Sequence, residues 1–304
     1  MRASVIFAPG CSSKLLKPFQ KVASEQITDH TDWQDGLPAT SEEADAVLLV
    51  GGDGTIHRNL AQLVKLALPV LIVPAGSGND FARALGLRSV RHSLNAWHNF
   101  CDGGKNLRTI DLGVISPCEE AAQAAPAANR NSLFPHYFCT VAGVGLDAEV
   151  ARRAQVLPRW LRGSGGYALT LMPLLFRFPP LAVKILTQTN GGWKLHSNRP
   201  LLLAAFANAT AYGGGMQIAP HAKLDDGQLD VCLVRGMNPF KAAFLFPTVY
   251  FGHHLKIRGV EYFQISNARL ETERPLDVYA DGEYVCQTPV EIGVQPAALR
   301  VITP

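Results

Sequence analysis

The sequence predicts an α/β domain in the N-terminal part of the chain and a β-rich domain after it. Three observations carry that expectation. Val5 to Ala8, Ala46 to Val50 and Val70 to Val73 are short continuous apolar runs, the first two ending in glycine-bearing turns, as parallel strands covered on both faces do. A helical pattern separates the second run from the third. From Tyr137 onward the chain reads as one strand-like run after another. At 304 residues the chain suits about two domains, because single cores seldom grow beyond roughly 250 residues before splitting.

Each element follows from its own residues. Asn59 to Leu68 places Leu60, Leu63, Val64 and Ala67 at helical spacing, and Pro69 stops it before the next strand, which is β-α-β order. Asn79 to Leu85 is a second helix with a polar start and Gly86 at its end. A polar and mixed stretch precedes the strand-like Arg108 to Val114. Cys118 to Asn131 is alanine-rich and broken by Pro126; with no apolar face to bury, it is expected as a surface insertion. The β-rich part comprises Tyr137 to Val141, Ala182 to Thr187, Leu201 to Asn208, Leu229 to Val234, Arg269 to Thr272, Leu276 to Ala280 and Val290 to Ile292. Phe240 to Phe251 and Leu169 to Phe178 are expected as core at their density of apolar residues, with acyl-chain walls as the alternative.

Composition narrows the function classes. The chain is 47% hydrophobic and 17% charged, and 28 Lys and Arg against 25 Asp and Glu leave a net charge of +3. That excess is too small to argue for nucleic acid and is compatible with weak attraction to an anionic membrane. The six cysteines are scattered without a C-x-x-C pair, which suits reduced thiols in the cytoplasm. The early apolar run is too short for a signal segment. Tyr167 to Val183 carries Arg177 and three prolines, so no spanning helix is expected.

Two glycine-rich loops carry the chemistry. Gly51-Gly52-Asp53-Gly54-Thr55 stands directly between a strand and a helical pattern, where glycines let backbone amides and a helix N-terminus approach phosphate oxygens. Asp53 is placed to hold Mg²⁺ on those phosphates; the alternative is an ordinary turn with a capping Asp. Pro74-Ala75-Gly76-Ser77-Gly78-Asn79-Asp80 follows the next strand, so both loops leave the same carboxyl edge of a parallel sheet, where open α/β sheets bind ligands. Asp80 is a catalytic candidate, with helix capping by Asn79 or Asp80 as the plainer reading. His57, His253 and His254 lack convergent partners and are left outside any metal site.

With these loops the chain resembles the diacylglycerol kinase catalytic family, which includes bacterial lipid kinases and the related sphingosine and ceramide kinases. The resemblance extends through Gly143-Val144-Gly145-Leu146-Asp147-Ala148, Gly213 to Pro220, Ala222 to Val231 and Ala280-Asp281-Gly282-Glu283. It implies an NAD kinase/phosphofructokinase-like α/β nucleotide-binding domain over 1–112 with 288–304, and a β-sandwich lipid-substrate domain over 113–287. It implies an ATP-dependent, Mg²⁺-using kinase acting on a lipid hydroxyl, cytoplasmic and peripherally attached where a membrane presents its substrate. Nucleic acid is not an expected partner, and a homodimer is admitted.

Residue by residue, the resemblance makes Gly51, Gly52, Asp53, Gly54 and Thr55 the nucleotide-phosphate loop. Gly76, Ser77, Gly78 and Asn79 form the second loop, with Ser77 a hydroxyl contact. Glu283 matches the general base toward the lipid hydroxyl, aimed by the Asp281-Gly282 turn; a polar residue after a hairpin is the alternative. Asp226 matches a carboxylate of a structural Mg²⁺ site, with main-chain oxygens of Lys223 and Gln228, against the alternative of a plain Asp226-Gly227 turn. Two departures stand out: Ala8-Pro9-Gly10-Cys11-Ser12 replaces the usual Asn-Pro turn, and Gln26 to Ala44 does not align, so Thr28 and Thr31 stay outside the site. The rivals are an NAD or sugar kinase sharing the first loop, and a non-catalytic nucleotide or lipid sensor.

Overall fold

The computed structural model describes residues 1–26, 32–118, 135–156 and 166–304. Thr28, Thr31 and residues 119–131 of the expected alanine-rich insertion lie outside them. The chain divides into two compact units, Met1–Asp111 with Ala297–Pro304, and Leu112–Pro296. The return to the first unit starts at Ala297, later than the expected 288, because the strand that carries it first pairs within the second unit.

In the first unit, β1 (Arg2–Phe7), β2 (Asp32–Asp35), β3 (Ala46–Gly51) and β4 (Val70–Pro74) form a parallel array in the order β2-β1-β3-β4. Every residue of β3 is buried, as a central strand covered on both faces requires. Helix α1 (Lys17–Gln26) precedes β2, and α2 (Asp53–Leu66) follows β3. Helix α2 begins earlier than its apolar spacing suggests. Gly52 takes the extended cap position and Asp53-Gly54-Thr55 make the first turn, where an acidic residue is favoured. A short α3 (Asp80–Ala84) follows β4.

The polar stretch after α3 is a helix, α4 (Val90–Cys101), capped by Ser89, whose side chain accepts from the His92 amide. Its Trp97 is fully buried and donates Nε1–H to the Phe19 carbonyl at 3.1 Å, tying α4 to α1. Strand β5 (Leu107–Pro117) leaves this unit.

The second unit is a β-sandwich. One sheet has six strands in the order β12-β11-β10-β7-β14-β15, all pairings antiparallel. Its strands are β7 (Val141–Gly145), β10 (Leu201–Ala207), β11 (Leu229–Arg235), β12 (Val260–Ile265), β14 (Asp277–Ala280) and β15 (Glu283–Gln287). Facing it are β8 (Val183–Thr189), β9 (Gly192–Ser197), β13 (Asn267–Thr272) and the first half of β16 (Val290–Ile302), with β5 paired to β6 (His136–Phe138). Alternate residues of both sheets meet in one core that includes Phe138, Val144, Ile185, Phe206, Val231, Leu270, Val278 and Ile292.

The single strand expected from Tyr137 to Val141 is two, β6 and β7. The amides of Cys139 and Thr140 leave the ladder to donate to the Asp281 carboxylate, each at 2.8 Å. Among the described residues the unit also has the α-helices α5 (Leu146–Ala154), α6 (Gly166–Leu175) and α7 (Pro239–Leu245). No helix among the described residues is long and apolar enough to cross a membrane.

Candidate functional site

The two glycine loops meet in the first unit. Ala75 N–H donates to the Gly51 carbonyl at 2.9 Å, continuing the β3–β4 ladder into the loops. Beyond it the two chains touch backbone to backbone: a Cβ on Gly76 would lie 2.5 Å from the Gly52 Cα, and one on Gly52 would lie 2.9 Å from the Gly76 Cα. Glycine at both positions is therefore a condition of the contact. Asn79 closes its own loop, accepting from the Gly76 amide at 2.9 Å and donating Nδ2–H to the Gly76 carbonyl at 2.7 Å, with its backbone left-handed at φ 57°.

Asp53 joins the loops. Its Oδ2 accepts from the Asp80 amide and its Oδ1 from the Phe81 amide, both at 3.1 Å, so it caps α3 across the site. The sequence sets Asp53 as a metal or phosphate ligand against a capping Asp in its own turn, and gives the α3 cap to Asn79 or Asp80; the observed cap of α3 comes from Asp53. A hard oxygen donor beside amide-rich loops fits Mg²⁺ held on nucleotide phosphates. Asp80 is buried, and its carboxylate pairs with the guanidinium of Arg83, which also donates to the Gly78 carbonyl. That contact gives Asp80 a role in holding the loop. Thr55 is buried against Gly51, whereas Ser77 and Gly76 stand exposed at the rim.

In the second unit, Asp281 and Gly282 turn the β14–β15 hairpin with φ of 51° and 82°, the geometry that Asp-Gly favours. The Asp281 carboxylate accepts from the amides of Cys139 and Thr140 and from the Thr140 hydroxyl at 2.6 Å. The turn is anchored, and Glu283 follows it half-buried. Sequence reasoning missed Gln155, just past the end of α5. Its Nε2 donates to the Gly282 carbonyl at 2.7 Å and lies 3.4 Å from the Glu283 Oε2, so it positions the carboxylate. The only signal was the α5 segment downstream of the quoted glycine motif. Asp281→Ala is expected to cost about 2–4 kcal/mol, since it strands two amides and a hydroxyl beside the turn. Chemical denaturation checks this, and a loss below 0.5 kcal/mol on that scale would contradict it.

An apolar pocket of about 100 Å³ opens in the same unit. Leu171, Leu175, Leu203, Ile218, Phe246 and Val249 are among the residues that line it. Two polar features face it. Asp147, buried, accepts from the Tyr212 hydroxyl at 2.5 Å. His254, also buried, holds the Ile218 carbonyl at 3.1 Å through Nε2, and its Nδ1 has no partner. Burial pushes the His254 pKa below its ordinary value. Phe240 to Phe251 and Leu169 to Phe178 are thus core only in part: some of their side chains line the pocket, while Leu169, Phe176, Phe240, Phe244 and Phe251 are exposed.

Asp226 sits in a turn with Gly227 at φ 70°. Its Oδ1 accepts from the Gln228 amide at 3.1 Å and its Oδ2 lies 3.4 Å from Gln264 Nε2, which is equally close to the buried Asp230. Burial raises the Asp230 pKa, and the neighbouring Asp226 adds to the rise. The turn thus unites Asp226 and Gln228, while no hydrogen bond joins Lys223 to either. Among the described residues no group of three or more His, Cys, Asp and Glu side chains converges on a metal position.

Comparison with known proteins covers both units. Residues 12–115 match the family described as "Diacylglycerol kinase catalytic domain", and 140–303 match the "YegS C-terminal NAD kinase beta sandwich-like domain". A diacylglycerol kinase of Mycobacterium tuberculosis is 35% identical over 266 residues, 88% of this chain and 79% of its own. A "Probable lipid kinase YegS-like" of Chromohalobacter salexigens is 27% identical over 299 residues, 93% of this chain and 85% of its own. The crystal structure of a diacylglycerol kinase from Bacillus anthracis aligns with a TM-score of 0.67 at 16% identity, over 100% of this chain and 97% of that one. At that identity the last likeness is one of fold.

Proposed function

Because the chain belongs to the diacylglycerol kinase catalytic domain family, we propose that it transfers the γ-phosphate of ATP to the hydroxyl of diacylglycerol or a related lipid presented at a membrane surface. The observation that carries this reading is the paired glycine loop held together by Asp53. Phosphoryl transfer asks a protein for positioning and charge stabilisation more than for covalent chemistry. The loop amides and the N-terminus of α2 supply donors to the phosphate oxygens. Mg²⁺, when bound with the nucleotide, neutralises charge on those oxygens. Asp53 is the carboxylate on this chain suited to hold it, and Ser77 adds a rim hydroxyl.

Glu283 accepts the proton of the lipid hydroxyl as that oxygen bonds to the γ-phosphorus, and the bond to the ADP oxygen breaks. Gln155 keeps the Glu283 carboxylate in place. The apolar pocket takes an acyl chain, with Asp147, Tyr212 and His254 as its polar groups. Purified protein with Mg-ATP is expected to consume ATP faster when glycerolipid is added, and omission of Mg²⁺ is expected to stop it. Absence of turnover with every glycerolipid, sphingoid base and polyprenol in a panel would overturn the reading.

A second Mg²⁺, at Asp226, is part of the same proposal. A cation bound only by the folded turn raises the melting temperature by mass action. Mg²⁺ is expected to raise Tm of the wild-type chain by about 2–4 °C, and Asp226→Ala to remove that increment. An equal Mg²⁺ response in both proteins would show that Asp226 holds no metal.

A further inference from the structure

We propose that α6, α7 and the turn Phe246–Phe251 form a face that docks on an anionic lipid bilayer. The inference rests on the membrane-lipid reading above and adds the surface and the charge of the membrane it meets. The three segments have two sides. Inward residues such as Leu175, Leu245 and Val249 line the apolar pocket. On the other side Phe244 is 83% exposed, Phe240 74% and Phe251 70%, with Leu169 at 62%. Several large apolar side chains this exposed on three short segments are uncommon on a surface that meets only water.

Their arrangement is held in place. Asn238 caps α7, its Oδ1 accepting from the Phe240 amide at 2.9 Å, and the Phe240 ring meets Phe176 edge-on at 5.1 Å. Phe240 and the end of α6 therefore belong to one apolar surface.

Charge selects the partner. From Gly166 to Leu181 and from Gly236 to Val260 the sequence contains no Asp or Glu. Arg177, Lys241, Lys256 and Arg258 are all exposed there. Exposed aromatics fringed by Lys and Arg are the composition of elements that lie in a bilayer interface and are drawn to anionic lipid. A second copy of the chain fits worse, because a symmetric contact brings one basic fringe against another. Docking by this face sets the roof of the pocket on the membrane, from which an acyl chain enters.

The test is co-sedimentation, without nucleotide, with vesicles of equimolar phosphatidylcholine and phosphatidylglycerol. Wild-type protein is expected to bind these and to bind pure phosphatidylcholine vesicles weakly. Phe240→Ser with Phe244→Ser is expected to weaken binding at least tenfold, roughly the value of removing one buried Phe from an apolar phase. Lys241→Glu is expected to weaken it in the anionic vesicles alone. These side chains are exposed, so an unchanged melting temperature separates lost docking from lost folding. Wild-type protein that ignores anionic vesicles, or a serine variant that binds as well as wild type, overturns the proposal. So does a wild-type dimer that the serine variant abolishes, which would assign the face to self-association. The assay contains no ATP, so failure of the kinase reading appears as absent turnover while vesicle binding is scored independently.

Discussion

Glu283→Gln is expected to lower phosphoryl transfer by about 10² to 10⁴, the usual worth of a positioned general base. The amide keeps the shape of the side chain and cannot take up the lipid hydroxyl's proton. The turn around it is expected to survive, because Asp281 holds the amides of Cys139 and Thr140 and Gln155 holds the Gly282 carbonyl, none of which the substitution touches. ATP affinity is expected to remain, since the glycine loops belong to the other unit. Initial rates and nucleotide binding measured on the same preparation separate the two effects. A Gln variant with near-normal turnover removes Glu283 from the chemistry. Gln155→Ala is a graded companion: loss of positioning with the base retained lowers turnover less than loss of the base.

Gly76→Ala is expected to weaken ATP binding by about 10² or more, the scale of a misplacement near 1 Å in a preorganised site. Its Cβ would lie 2.5 Å from the Gly52 Cα and 3.0 Å from the Asn79 Oδ1. The first neighbour is backbone and cannot rotate away, so the loops must part. Parting them also strains the Asp53 bonds to the Asp80 and Phe81 amides. The rest of the unit is expected to fold, because Gly76 is exposed and the strands beneath are independently buried. Gly191→Ala, where an added Cβ meets nothing within 4 Å, is the matched control. Calorimetric titration with ATP checks both, and equal affinity of the two variants would contradict the loop geometry.

The parts of this fold that sequence revealed are those where one physical requirement dominates. Ala46 to Val50 and Val70 to Val73 are apolar throughout because both faces are covered, and the loops after them carry glycines because two backbones touch. Helix α4 was hidden because its buried face includes Ser93, whose hydroxyl donates to the Ile72 carbonyl at 2.8 Å, so the stripe Ala96–Trp97 looked interrupted. Strands β12 and β15 alternate with charged and polar residues and sit at the two edges of their sheet, where apolar runs are not required.

The division of Tyr137 to Val141 into two strands depends on a carboxylate far along the chain, and no local pattern reports it. At the candidate site the same rule holds. Loop residues and Glu283 were legible as motifs, whereas the cap made by Asp53, the Asp80–Arg83 pair and the hold of Gln155 on the turn are long-range or orientational facts. The exposed rings of Phe240, Phe244 and Phe251 were read as core because density of apolar residues does not tell which side of a short helix faces in.

The γ-phosphate is expected to go to a lipid hydroxyl. The measurement that tests it most directly is transfer of label from γ-phosphate-labelled ATP to diacylglycerol or a related hydroxyl lipid, read in the extracted lipid for wild type and Glu283→Gln side by side. Labelled phospholipid that requires Mg²⁺ and disappears in the Gln variant is the predicted result; extracted lipid without label for every hydroxyl lipid offered, with the wild-type protein folded and binding ATP, would contradict it.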